Sequence, residues 1–164
     1  MSVALFPGSY DPITNGHVNV ALKAAEIFDK VYVAVMTNTS KHYIFTADER
    51  ANFAKDALKN NPKIKVLERP NALTTDLARE LSAKVIIRGV RNSADFLYEQ
   101  QIAGINEQLN PNIHTILMFT DPKNSFVASS MIKEVAKFSG DVSTFLPTKA
   151  AHALKEKMRH SGER

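Results

Sequence analysis

The strongest constraint in this chain is a short apolar run, Val3-Ala4-Leu5-Phe6, that breaks into Pro7-Gly8-Ser9-Tyr10-Asp11-Pro12-Ile13-Thr14-Asn15-Gly16-His17. The run reads as a first buried strand, and the prolines and glycines that follow oppose both strand and helix, so the chain is expected to turn there. Val18, Ala21, Leu22, Ala25 and Phe28 then recur at helical spacing. They predict a helix whose N-terminus lies near Gly16-His17. Such a helix start favours anions, because unpaired backbone N–H groups and the positive end of the helix dipole face whatever sits above the loop. The loop has neither the spacing of a Walker A loop nor that of the Gly-x-Gly-x-x-Gly fingerprint, which argues against a P-loop kinase or an ordinary dehydrogenase.

The rest of the chain alternates between the two periodicities. Val31 to Met36 is a continuous apolar, β-branched run suited to a strand buried on both faces. Thr46-Ala47-Asp48-Glu49 has the capping-box pattern and predicts a helix to about Lys59, stopped by Asn60-Asn61-Pro62. Ile64 to Leu67, Val85 to Ile87 and Ile116 to Phe119 read as strands; Thr75 to Leu81, Asp95 to Leu109, Met131 to Phe138 and Pro147 to Met158 read as helices. The phenylalanines and methionines, Phe96 included, are expected mostly in the core. Alternation of this kind predicts an α/β fold: a Rossmann-like five-stranded parallel sheet with helices on both faces, as one domain over residues 1–164. Ligands of such sheets bind beyond the carboxyl ends of the strands, where the strand order reverses. Ser9, His17, Lys41, Arg88, Arg91, Ser129 and Ser130 all follow strands.

Composition limits the classes of function. The 164 residues are 44% hydrophobic and 23% charged, the balance of an ordinary globular chain, with disorder expected only in the last few residues. No apolar stretch reaches membrane-spanning length and the N-terminus lacks the regions of a signal peptide, so a soluble cytoplasmic protein is expected. The absence of cysteine removes disulfide scaffolds and thiolate metal sites. A net charge of +4 suits nucleic acid, an anionic small substrate or merely a basic surface. Basic residues are spread along the chain rather than packed into one arm, which favours a focused anion pocket.

Arg88 and Arg91 leave a very apolar strand and can grip phosphate bidentately, or can pair with Asp95 or Glu99. Lys41 suits an anion or a solvated loop equally, and Ser129-Ser130 is by itself an ordinary N-cap. His42, His114, His152 and His160 form no metal-ligand spacing with one another and read as structural or surface residues.

The stretch Gly8-Ser9-Tyr10-Asp11-Pro12-Ile13-Thr14-Asn15-Gly16-His17 resembles the mark of the nucleotidylyltransferase superfamily, Gly-x-[Ser/Thr]/Phe-Asp-Pro-x-x-x-Gly-His. Phe126 to Ala136, followed by Gly140 to Pro147, is similar to the signature of one family within it, the phosphopantetheine adenylyltransferases. Ser40-Lys41 with Phe45-Thr46 and Glu49-Arg50, Ile87 to Arg91, and Asp95-Phe96 with Tyr98-Glu99 resemble that family too, in its order and spacing, from about residue 3 to about residue 147. Asn124 stands where the family usually has an aromatic residue and Ala128 where it has Ser. Ser9 replaces a frequent Thr and keeps the hydroxyl.

The resemblance implies transfer of the adenylyl group of ATP to 4'-phosphopantetheine, giving dephospho-coenzyme A and pyrophosphate. It implies Mg²⁺ brought by ATP and held through phosphate oxygens and water, a homohexamer, inhibition by coenzyme A, and neither a nucleic-acid nor a membrane partner. An attacking phosphate is already ionised at neutral pH, so no activated nucleophile is needed and catalysis becomes positioning and charge stabilisation. By the same resemblance, His17 holds the α-phosphate, and Ser9 and Lys41 orient the attacking phosphate. Arg91, Ser129 and Ser130 take the β- and γ-phosphates. Thr74 and Arg88 fall on the pantetheine side; Tyr10, Gly89, Val90, Glu99, Asn124, Ser125, Phe126, Val127 and Ala128 fall on the ATP side. Sister enzymes acting on nicotinamide mononucleotide or glycerol phosphate, and a basic binding module without catalysis, are the competing expectations.

Overall fold

The computed structural model describes residues 1–161, and the disorder expected at the very end falls on 162–164, outside them. The β-branched runs form the strands β1 (Val3–Gly8), β2 (Lys30–Val35), β3 (Ile64–Glu68), β4 (Val85–Val90) and β5 (His114–Phe119). All pair in parallel in the order β3-β2-β1-β4-β5, so the strand order reverses between β1 and β4. Between them run the helices α1 (Asn15–Ile27), α2 (Ala47–Leu58), α3 (Thr74–Glu80) and α4 (Ser93–Leu109). A 3₁₀ turn over Pro122–Asn124 leads to α5 (Ser129–Lys137) and α6 (Thr148–Ser161).

Successive side chains of a strand point to opposite faces, and here they divide into two cores. Ala4, Phe6, Val31, Val33, Val35 and Ile87 face a large cluster that includes α1, α2, α5 and α6 residues. Leu5, Ala34 and Ile86 face a smaller one closed by Leu77 and Ala78 of α3, with Ala83 and Ile113. The buried face of α1 is Val20, Ala21, Ala24 and Ala25, shifted from the expected stripe, and Leu22 points outward. These small side chains bring α1 close to the sheet. A Cβ on Gly89 of β4 would come within 3.2 Å of the Val20 side chain.

One correction creates the site. The sequence ends β1 at Phe6, yet the strand runs through Pro7 to Gly8, paired to β2 as far as Gly8↔Val35. Its pairing with β4 consists of Ala4↔Val85 and Leu5↔Ile86. Beyond Leu5 the sheet parts between β1 and β4, while β4 stays paired to β5 up to Val90↔Phe119. Pro7 is tolerated in a central strand because its edge toward β4 carries no ladder there; its carbonyl accepts instead from Arg88 Nη1 at 2.7 Å.

A second correction concerns the aromatic residues. Phe6, Phe28, Phe45 and Phe53 are buried, but Phe96, Phe119, Phe126, Phe138 and Met131 are exposed. Phe96 with Leu97, Ile105 and Leu109, and Phe119 with Ile116, leave apolar side chains on α4 and on the edge strand β5 open to solvent.

Candidate active site

The gap between β1 and β4 is a cleft of about 360 Å³ whose walls come mainly from four segments, with Thr120 after β5 beside them. The first is the loop after β1. Tyr10 has a left-handed backbone (φ 48°), which folds its buried ring back beneath Gly8; a Cβ on Gly8 would lie 2.8 Å from that ring. The Tyr10 hydroxyl donates to Phe6 O at 2.8 Å, and the ring meets His17 edge-on at a centroid distance of 5.0 Å. Burial pushes the Tyr10 phenol far above its ordinary pKa, so it remains a donor.

Thr14 caps α1, and His17 sits at the third helical position, where a capping box ordinarily has Glu or Gln. Its Nδ1 accepts the Thr14 backbone N–H at 3.0 Å, while its own N–H donates to Thr14 Oγ1 at 3.3 Å. A ring nitrogen that accepts an amide proton carries none itself, so the ring proton belongs on Nε2. Burial, with the Arg91 and Arg88 charges beside it, lowers the His17 pKa from 6.5 to about 4. The imidazole is therefore a neutral Nε2–H donor at pH 7. Because the unfolded chain binds this proton more tightly, the stability tied to His17 is full above about pH 6.5 and lost as pH falls toward 4. Side-chain ¹⁵N NMR of the ligand-free protein is expected to show the neutral Nε2–H tautomer unchanged from pH 8 to about pH 5.5, and a midpoint near 6.5 would contradict it.

The second wall carries both arginines, and each of them, while lining the cleft, is paired with an acid of α4, the partners the sequence offered as the alternative to phosphate. Arg88 grips Glu99 of α4 with Nε at 2.7 Å and Nη2 at 2.8 Å, besides its bond to Pro7 O. Arg91 holds Asp95 through Nε at 2.9 Å and Nη2 at 3.1 Å, and Asp95 also accepts the Arg91 backbone N–H. These ion pairs tie α4 to β4 at Arg88 and to the residue just past the end of that strand at Arg91.

The third wall is the start of α5, with Val127, Ser129 and Ser130. The serines do not cap this helix. Ala128 is the N-cap and makes no side-chain cap bond, while the Ser129 hydroxyl donates to Pro12 O at 3.1 Å. A helix start without a side-chain cap thus lies at the same cleft as that of α1. Lys41 stands on the fourth wall, exposed in the polar loop between β2 and α2. Ser9 Oγ lies 3.3 Å from the Tyr43 hydroxyl of the same loop.

Ser9, Tyr10, His17, Lys41, Arg88, Gly89, Arg91, Glu99, Val127, Ser129 and Ser130 are brought together by the fold. Val90 is a core residue, Asn124 is buried and Phe126 is 81% exposed; with Ser125, Ala128 and Thr74 they lie outside the cleft walls. Thr74 sits at the start of α3, its hydroxyl 3.8 Å from the Met36 sulfur, and Ser125 bonds Pro122 O. Sequence reasoning missed Thr120, whose buried hydroxyl at the cleft has no partner among the described residues. It also gave no role to Asp11 or Arg50. Arg50 had a signal: it occupies the buried stripe of α2 with Ala51, Ala54 and Leu58, where an arginine needs a reason. Its Nη1 donates to Ser9 O at 2.7 Å and Met36 O at 3.1 Å, and its guanidinium lies 4.2 Å from the centre of the Tyr43 ring.

A larger hollow of about 610 Å³ between α5 and α6 shares none of these residues. Among the described residues, no group of three or more His, Cys, Asp or Glu could hold a metal ion, and no helix is long and apolar enough to cross a membrane.

A family model described as cytidylyltransferase-like matches residues 5–135. The chain is 69% identical to the phosphopantetheine adenylyltransferase of Lactobacillus acidophilus, covering 98% of this chain and 99% of that one. It is 40% identical to the enzyme of the same name from Caldanaerobacter subterraneus subsp. tengcongensis, covering 98% of this chain and 100% of that one. A solved structure assigned as a nicotinate-nucleotide adenylyltransferase of Vibrio parahaemolyticus superposes with a TM-score of 0.70, covering 96% of this chain and 95% of that one. At 16% identity, that likeness speaks for the fold alone. With the family model spanning most of the chain and relatives of one name matching it almost end to end, this chain belongs to the phosphopantetheine adenylyltransferases, within the cytidylyltransferase-like nucleotidyltransferases.

Proposed function

We propose that the cleft sets the phosphate chain of ATP against the phosphate of 4'-phosphopantetheine and passes the adenylyl group directly between them, giving dephospho-coenzyme A and pyrophosphate. The observation that carries this reading is the fixed ring of His17, whose Nδ1 accepts the Thr14 N–H at the start of α1, lining one cleft with the start of α5, which makes no side-chain cap bond. An oxygen of the attacking phosphate forms the new bond to the α-phosphorus as the bond to the β-phosphate bridging oxygen breaks, and pyrophosphate leaves with that electron pair. No proton needs to be abstracted, because a phosphomonoester is ionised at neutral pH. His17 donates to the α-phosphate as charge develops on it. Ser9 and Lys41 orient the attacking phosphate, whereas Arg91 and the start of α5 at Ser129 and Ser130 take the departing one.

The carboxylates in the cleft wall are engaged. Asp95 and Glu99 are held by the arginines, and Asp11 by two backbone amides and a lysine. That donor set fits Mg²⁺ arriving on ATP and held by phosphate oxygens and water rather than by a protein cage. Bound in that way, the ion neutralises phosphate charge. Coenzyme A shares the product's nucleotide and pantetheine arm and is proposed to inhibit at the same cleft. The apolar side chains exposed on α4 and β5 support self-association, for which the family resemblance gives a homohexamer, and the family's biosynthetic role supports a cytoplasmic site of action.

Pyrophosphate release from ATP and Mg²⁺ is expected with 4'-phosphopantetheine and not with nicotinamide mononucleotide or glycerol phosphate, with dephospho-coenzyme A identified by mass. Release with another acceptor would overturn the substrate, and silence with all three would overturn the activity.

A further inference from the structure

Asp11 is only 4% exposed, and a carboxylate so buried must be paired or strongly hydrogen-bonded. It is both. Oδ1 accepts the Phe45 backbone N–H at 3.0 Å; Oδ2 accepts the Ile44 N–H at 3.0 Å and the Lys133 ammonium at 3.1 Å. These three partners belong to two separate walls of the cleft. Ile44 and Phe45 end the loop that carries Lys41, just before the cap of α2. Lys133 lies one helical turn beyond Ser129 on the same face of α5, and Ser129 itself donates to Pro12 O, next to Asp11 in sequence.

The other end of the Lys41 loop is held as well. Arg50 binds Met36 O, Thr37 Oγ1 and Ser9 O, so the loop is secured where it leaves β2 and where it enters α2, both times against the first loop. Asp11 is the member of this network that also reaches α5. We propose that Asp11 is a positioning residue that ties the Lys41 loop and the start of α5 to the loop bearing His17, and so sets the two phosphate-binding walls against each other. This rests on the reading of Lys41 and of Ser129-Ser130 as phosphate contacts.

Asp11→Asn keeps the shape but replaces one acceptor oxygen with a donor, which then faces either a backbone N–H or the Lys133 ammonium. A misplacement of about 1 Å can cost 10²-fold in rate, so a loss of about 10- to 100-fold in kcat/KM for 4'-phosphopantetheine is expected. The decisive measurement is a double-mutant cycle with Lys41→Met, each protein being checked for an intact melting transition. Because Asp11 acts in part through Lys41, its substitution is expected to cost at least about threefold less once Lys41 is gone, the remainder being its tie to α5. Equal losses in both backgrounds would mean a merely structural carboxylate and would overturn the proposal. A Lys41→Met enzyme with wild-type kinetics would overturn it too, and would locate the fault in the reading of Lys41. Should Asp11→Asn fail to fold, Lys133→Met decides, since it leaves both backbone bonds of Asp11 in place. It is expected to raise KM for ATP about tenfold and to move KM for 4'-phosphopantetheine less than about twofold. An unchanged KM for ATP, or equal shifts for both substrates, would overturn the proposal.

Discussion

Replacing His17 by alanine is expected to lower kcat for pyrophosphate release by about 100- to 1,000-fold, the usual cost of removing one preorganised donor from a developing charge. KM for ATP should move far less, because the Nε2–H bond matters most when the α-phosphate gains charge; a wild-type kcat with only KM raised would contradict the assignment. The same substitution removes half of the α1 capping box, since Nδ1 accepts the Thr14 N–H. That loss is worth about 1 kcal/mol, or roughly 2–4 °C in Tm for a chain of this size. His17→Gln separates the two effects. Glutamine is a native capping-box residue and can accept from Thr14, so Tm should return toward wild type while kcat stays below it.

Arg88→Met is expected to be the most destabilising single change at the cleft. Glu99 is 6% exposed and both its oxygens are held by Arg88, so the substitution strands a buried carboxylate and leaves the Pro7 carbonyl without its partner. Removing one member of a buried pair typically costs about 3–5 kcal/mol, which corresponds to roughly 6–20 °C in Tm here. The double variant Arg88→Met/Glu99→Gln removes the unpaired charge and is expected to recover more than half of that loss. Thermal unfolding of the two proteins side by side checks this. If the double variant melts no higher than Arg88→Met, the damage lies in the β1–β4 gap itself and not in the stranded carboxylate.

The two substitutions also mark how far the sequence could be read. The position of His17 was legible because it is local: an apolar run, a turn and a helical period fall within about 25 residues. The capping box at Thr46 and Glu49 was legible for the same reason and is present. Ion bridges from the arginines to Asp95 or Glu99 were foreseen as an alternative to phosphate binding, but as surface bridges; the structure pairs Arg88 with Glu99 and Arg91 with Asp95 at the cleft itself. What failed were inferences about where a polar or apolar group finds its partner. Ser129 was expected to cap its own helix and instead bonds Pro12, 117 residues earlier in the chain. Phe96 was expected in the core and lies outside it because α4 buries little apolar surface of its own.

By itself, then, the sequence determined the strands, the helices, the parallel α/β architecture and, through its motifs, the family. Period, β-branching and capping act between neighbours, and such short-range preferences are written in order along the chain. Only the tertiary structure decided that β1 parts from β4 beyond Leu5, that Pro7 therefore fits a central strand, and that Asp11 and Arg50 clamp one loop to another. Those outcomes depend on which buried donor meets which acceptor after the sheet has formed. A hydrogen bond between residues 34 or 122 positions apart leaves no periodic trace in the sequence that makes it.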